Sequence, residues 1–203
     1  WKRDIVAKAL SARGLTPEFR DVVTSPAQSR RRAKLSGRRT KKGAMVGFHA
    51  KGSDTLVAVP DCKLLEPTLL ASFPALEALT VLACSRKGEI DLTVTDTPLG
   101  PDILVTTEKE LTSQLRVELA ALANQHGLSR LVWNDEQVVT INPPAQDFGG
   151  TGVVPPPGAF LQATKHGEQA LLQAVTEITA KASRIVDLFA GCGTFTLPLA
   201  KRA

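Results

Sequence analysis

Between Pro143 and Phe160 the chain reads PPAQDFGGTGVVPPPGAF, with five prolines and four glycines in eighteen residues. Proline lacks the N–H that a helix interior or a central strand requires, and glycine loses the most backbone entropy on entering either. No regular element can pass through such a stretch. It therefore reads as a crossing between separately built parts, with 1–145 on one side and 146–203 on the other.

Upstream of the crossing, strand and helix patterns alternate. WKRDIVAKALSARG predicts an amphipathic helix with Trp1, Ile5, Ala9 and Leu10 on one face and Gly14 at its end. In SRRRAKLSGRRTKKGAMVGFHA, Arg30, Arg32 and Lys34 alternate with Arg31, Ala33 and Leu35. Gly37 to Gly43 would then form the basic turn of a hairpin returning through Met45, Val46 and Phe48. TLVAVPDCKLLEP adds a strand ended by Pro60, and EPTLLASFPALEAL a helix with Pro67 early in it. GEIDLTVTDT and DILVTT read as partner strands. TSQLRVELAALANQHG is a helix with a Leu115, Leu119, Leu122 stripe, closed by Gly127. SRLVWND and EQVVTINPP form a hairpin turning at Asn134-Asp135. This is an α+β pattern.

Beyond the crossing, KHGEQALLQAVTEITAKA predicts a helix that leads into RIVDLFAGCGTFTLPLAKRA. There an apolar run, Ile185 to Phe189, reads as a buried strand. Gly191-Cys192-Gly193 follows, and then the start of a helix that Thr194 could cap. Glycines between a strand and a helix let a ligand approach backbone N–H groups at a helix N-terminus. The dinucleotide fingerprint requires a third glycine where Thr196 stands, and no Lys-Ser/Thr follows, so neither a dehydrogenase nor an ATP loop is supported. An S-adenosylmethionine loop and a plain strand-to-helix turn both remain open on the motif alone.

Charge narrows the partner. Residues 1–51 hold 14 of the 25 lysines and arginines but three of the 20 acids, a net of +11; the other 152 residues hold 11 bases and 17 acids, a net of −6. A basic arm on a mildly acidic body is the footprint of a polyanion, and Arg30, Arg32, Lys34, Arg38, Arg39, Lys41 and Lys42 are the residues to contact RNA phosphates. No run approaches the ~20 apolar residues of a membrane span. Three scattered cysteines, Cys62, Cys84 and Cys192, argue against a disulfide framework, so a cytoplasmic protein is expected, and a monomer. Cys84, Cys192 and Trp133 read as packing residues, and His49, His126 and His166 lack metal-ligand spacing.

DLFAGCGTFTLPLA resembles the first motif of the RNA 5-methyluridine methyltransferases, particularly the 23S ribosomal RNA uracil-5 enzymes. PPPGAFLQAT resembles the family segment whose glutamine contacts the cofactor, which points to Gln162. SRRRAKLSG and GFHAKGSDTLVAVPDCKLLEP resemble its central domain. The resemblance implies an α+β central domain followed by the start of a class I, Rossmann-like α/β methyltransferase domain, cut off after the first cofactor motif. S-adenosylmethionine would be held by Gln162, Asp187, Phe189, Gly191 and Gly193. Cys62 would correspond to the fourth ligand of a [4Fe–4S] cluster whose other ligands lie outside this sequence, so the cluster is not expected here. Cys62 also tilts the substrate toward ribosomal over transfer RNA. The family's nucleophilic cysteine and general base match nothing here, so these 203 residues are expected to be a middle piece, inactive alone. Two alternatives stay open: a methyltransferase for another base or a small molecule, and a non-catalytic RNA-binding module.

Overall fold

The computed structural model describes residues 1–85 and 88–202. Its centre is a seven-stranded mixed sheet in the order β3-β2-β1-β4-β5-β6-β7. The strands are β1 (Arg32–Arg39), β2 (Ala44–His49), β3 (Leu56–Ala58), β4 (Glu89–Thr95), β5 (Asp102–Thr106), β6 (Arg130–Trp133) and β7 (Glu136–Thr140). Every neighbouring pair is antiparallel except β5–β6. That parallel pair needs a crossover, and α4 (Ser113–Gln125) supplies it. Thr112 caps α4 by accepting from the Leu115 amide.

The predicted alternation places the core. Ala33 and Leu35 of β1, Ile90, Leu92 and Val94 of β4, and Leu115 and Leu119 of α4 share one buried cluster. Leu76 and Leu79 join them from α3 (Phe73–Ala83), which lies across β1 and β2. Trp133 is buried there too, donating its indole N–H to the Lys109 carbonyl at 2.8 Å. Cys84 at the end of α3 is buried, and that burial pushes its thiol pKa up.

Several expectations change. The single helix expected over Glu66–Leu79 is two, α2 (Pro67–Ala71) and α3, because Pro74 cannot donate to an earlier turn and restarts the helix at its own first turn. The β1–β2 turn is shorter than read: Gly37, Arg38 and Arg39 pair with Val46, Met45 and Ala44, so the two arginines belong to β1. α1 (Lys2–Ser11) forms but buries none of its residues. The largest correction concerns Ile185 to Phe189. No strand forms there, and Val186, Leu188 and Phe189 are exposed. An all-apolar strand is stabilised by neighbours on both sides, and among the described residues none of the seven strands pairs with it. No helix among the described residues is long and apolar enough to cross a membrane.

The proline-rich crossing is fastened to the sheet by two buried arginines. Arg31, just ahead of β1, points to the buried side with Ala33 and Leu35 and is 1% exposed. Its guanidinium donates to Glu168 of α5 (Lys165–Ile178) at 2.5 Å, to the Gln146 side chain at 3.3 Å and to the Gln162 carbonyl at 3.2 Å. Gln146 in turn donates to the Asp96 carbonyl, and the Arg31 amide donates to Ala163. Further along, Arg130 of β6 holds Asp102 of β5 through two hydrogen bonds of 2.8 Å and donates to the Pro155 carbonyl at 2.9 Å. Between these anchors, β8 (Gln146–Asp147) and β9 (Gly152–Val153) make a small hairpin with Phe148 buried beneath.

Two stability predictions follow from this junction. Arg31→Met leaves Glu168 buried and unpaired, a loss of about 3–5 kcal/mol, whereas the double variant Arg31→Met/Glu168→Leu recovers most of it in urea unfolding. Glu66 lies beside this network. Burial and then the facing Asp96 carboxylate raise its pKa against the opposing pull of Lys165 and Arg31. The folded state then binds the Glu66 proton more tightly than the unfolded state, so its contribution worsens as pH rises out of the ordinary carboxylate range. Glu66→Gln is expected to raise the urea midpoint at pH 7 more than at pH 4; an equal change at both would contradict the assignment.

Candidate functional site

The crossing and the closing glycine loop face each other across a cleft of about 780 Å³. Pro156, Phe160 and Gln162 form one wall, and Asp187, Phe189 and Gly191 belong to the other. Gln162 is placed by its own backbone, since its carbonyl accepts from Arg31 and leaves the side chain to the cleft. Thus four of the five cofactor residues expected from sequence line one cavity. Gly193 is in the same loop, its amide donating to the Ala190 carbonyl at 2.9 Å.

The loop geometry explains its glycines. Gly191 and Gly193 have φ of +58° and +84°, a region that side chains with a Cβ disfavour. At Gly193 a Cβ would also meet Leu197 at 2.9 Å, where α6 (Thr196–Ala200) turns up against the loop. At Gly191 a Cβ would approach nothing closer than the Phe189 carbonyl at 4.0 Å, so the backbone angle alone selects glycine. Phe189 shares the left-handed conformation at φ +65° with its ring fully exposed. Such strain in a bulky residue concentrates at ligand sites.

Two side chains differ from expectation. Thr194 does not cap α6; Phe195 holds the cap position without a side-chain bond. Thr196 instead donates to Asp187 at 2.5 Å, tying the carboxylate to the first turn of α6. Cys192 is half-buried in the loop and lines the cleft. The donor set suits the amino-acid end of S-adenosylmethionine: a carboxylate, a side-chain amide, and a glycine loop on which a ligand can lie close to backbone. It carries no pyrophosphate cradle.

Cys62 is half-buried against the core. Among the described residues no group of three or more His, Cys, Asp and Glu side chains could hold a metal. A single thiol does not fit a [4Fe–4S] cluster, which needs four ligands, and no step is assigned to one.

The basic residues divide into partnered and unpartnered. Lys34 pairs with Asp91 at 2.7 Å, and Arg38 with Glu89 at 2.5 Å. Burial alone would raise the pKa of Glu89, but hydrogen bonds from His49, Ser36 and Arg38 outweigh it and hold the carboxyl low. Arg39, Lys41 and Lys42 are exposed around the β1–β2 turn, and no acid lies within ion-pair distance of them among the described residues. Arg30 and Arg32 likewise lack an acid and sit beside the crossing. Sequence reasoning missed Arg31, because a charged residue in a basic run reads as solvated, and Arg130, because its partner Asp102 lies 28 positions away. The one available signal was the placement of Arg31 in phase with Ala33 and Leu35.

No model of a known protein family matches the chain. Curated relatives do. The chain is 35% identical over 203 residues to a Rhizobium meliloti protein described as an uncharacterized RNA methyltransferase, covering all of this chain and 49% of that protein. It is 35% identical over 202 residues to an Agrobacterium fabrum protein of the same description, again covering 49% of it. A Shewanella halifaxensis 23S rRNA uracil-C5 methyltransferase is 30% identical over 191 residues, 85% of this chain and 41% of that protein. The chain thus spans about half the length of the curated relatives it matches. Among solved structures it shares the fold of a Pyrococcus abyssi tRNA uracil-C5 methyltransferase crystallised with S-adenosyl-L-homocysteine. The TM-score is 0.66 at 17% identity, over 96% of this chain and 51% of that one.

The loop geometry orders two substitutions. Gly193→Ala combines a steric clash with the left-handed penalty of about 1–2 kcal/mol, whereas Gly191→Ala carries the penalty alone. Hydrogen exchange at the amides of residues 193–200 should accelerate more in Gly193→Ala; equal acceleration would contradict the packing of Leu197 on the loop.

Proposed function

We propose that the protein is an S-adenosylmethionine-dependent RNA methyltransferase acting at uracil C5, with ribosomal RNA as substrate. The observation that supports this best is the cleft joining Gln162 to Asp187 and Gly191 in a chain similar, along its whole length, to proteins named RNA methyltransferases. The ribosomal preference draws on the 30% identity to the 23S rRNA enzyme. In this reading residues 1–145 form the RNA-facing α+β domain and 146–203 open the cofactor domain, with 5-methyluridine as product.

Bound in the cleft, the cofactor supplies an electrophilic methyl group. The Gly191–Gly193 loop presents backbone to its amino-acid end, Gln162 and Asp187 orient it, and the exposed Phe189 ring walls the cleft. Methylation at C5 needs a thiolate to attack C6 of an unstacked uridine and a base to remove the C5 proton. Cys192 lies within the cofactor loop and is assigned to packing, so both groups are assigned outside these 203 residues. The activity is accordingly proposed for the complete gene product. Arg39, Lys41 and Lys42 add phosphate contacts that raise affinity without reading sequence, as do Lys34 and Arg38 to the extent that RNA displaces their carboxylate partners.

The test uses the complete gene product with S-adenosylmethionine and ribosomal RNA tritiated at uracil C5. Cofactor-dependent release of tritium to water is expected. Cofactor binding without release would overturn the uracil-C5 assignment and leave a methyltransferase for another base. RNA binding without cofactor binding would favour the non-catalytic module.

A further inference from the structure

Four buried or strand-borne cations of this fold have their acids: Arg31 has Glu168, Lys34 has Asp91, Arg38 has Glu89 and Arg130 has Asp102. Arg30 and Arg32 differ. They are two residues apart in extended backbone, Arg30 in an isolated bridge just ahead of β1 and Arg32 its first residue, so their side chains leave the chain on the same side. No carboxylate lies within ion-pair distance of either among the described residues. Arg30 spends its Nε on the Arg32 carbonyl at 3.0 Å, which draws the two residues together. Arg32 donates one Nη to the Gly158 carbonyl at 3.2 Å, while its Nε–H is buried with no acceptor among the described residues.

This arrangement is unfavourable as it stands. A buried donor left unsatisfied is destabilising, and like charges side by side add to it. Burial, and then the charge of Arg30, push the Arg32 pKa down, which reports the same frustration. An anion bound to the remaining Nη groups of both guanidiniums would offset the repulsion between the two charges. The location says which anion. Gly158 directly precedes Ala159 and Phe160, which with Gln162 wall the cofactor cleft, and Arg30 bridges Thr164 on the far side of Gln162.

We propose that Arg30 and Arg32 clamp one RNA phosphate at the rim of the cofactor cleft and thereby register the strand that carries the target base. The inference rests on the RNA methyltransferase reading above. Two guanidinium forks suit a phosphodiester with its two free oxygens better than one ammonium would. The clamp is a positioning device, distinct from the exposed Arg39, Lys41 and Lys42 at the β1–β2 turn. Those can add attraction but stand on flexible stems.

The experiment compares the complete wild-type gene product with Arg30→Gln and with Arg30→Gln/Arg32→Gln. Single-turnover tritium release at saturating ribosomal RNA, RNA affinity across a salt series and S-adenosylhomocysteine binding by calorimetry are all read. The double variant is expected to bind S-adenosylhomocysteine as wild type does. It should lose at least about tenfold in single-turnover rate and flatten the salt dependence by the 0.7–0.9 that one phosphate contact contributes. Arg30→Gln, at an exposed position, gives part of the same change without disturbing the fold. Wild-type rate and slope in both variants would overturn the clamp, and so would a rate loss with an unchanged slope, which marks a structural role. Absence of release by the wild type itself would overturn the methyltransferase reading, and the clamp with it.

Discussion

The buried guanidinium of Arg31 is the contact on which the arrangement of this protein depends. It sits at the mouth of β1 and reaches three separate pieces of chain: Gln146 where the proline-rich crossing begins, Gln162 where it ends, and Glu168 in the first turn of α5. Such an ion pair adds little net stability over an apolar substitute, because desolvation of both charges offsets their attraction. What it adds is geometry. The fork of donors accepts one set of partners, so the crossing has one place to lie. Arg130, locked to Asp102 and to the Pro155 carbonyl, fixes the middle of the same stretch.

The cleft inherits its shape from that fastening. Its near wall is the later part of the crossing, from Val153 at the end of the β8–β9 hairpin through the irregular backbone of Pro156 to Gln162. Its far wall is the glycine loop, whose left-handed backbone at Phe189, Gly191 and Gly193 bends the chain back toward Gln162. Among the described residues the seven-stranded sheet contributes none to the lining of the cleft. In the proposed reading the cations offered to RNA lie on and beside β1, so substrate and cofactor would be registered against one framework. Arg30 and Arg32, with no carboxylate at ion-pair distance among the described residues, stand beside Gly158 at the edge of the cleft.

The apolar closing segment marks a different balance. Val186, Leu188 and Phe189 have the composition of a central parallel strand, yet they lie exposed in irregular backbone. Composition states what a segment would gain by burial, while strand formation requires partners that hydrogen-bond on both sides. The same reasoning applies to α1, whose apolar face buries no residue, with Leu10 only partly covered.

Local pattern in the chain sets most of the secondary elements and the residue types that line the cleft. The two-residue alternation in β1 and β4, the leucine stripe of α4, the hairpin at Asn134 and the positive-φ glycines are local consequences of side-chain period and backbone sterics, and they could be read directly. Gln162, Asp187 and Gly191, singled out by resemblance to a known motif, line one cleft, and their cofactor role is the proposal made above. Tertiary structure alone decided the strand order, the break between α2 and α3 at Pro74, and which basic residues are neutralised. It also decided that Arg31 turns inward to Glu168, 137 positions away. The reason is physical: charge in a sequence is a property of one residue, whereas its energy depends on burial and on partners brought close by folding.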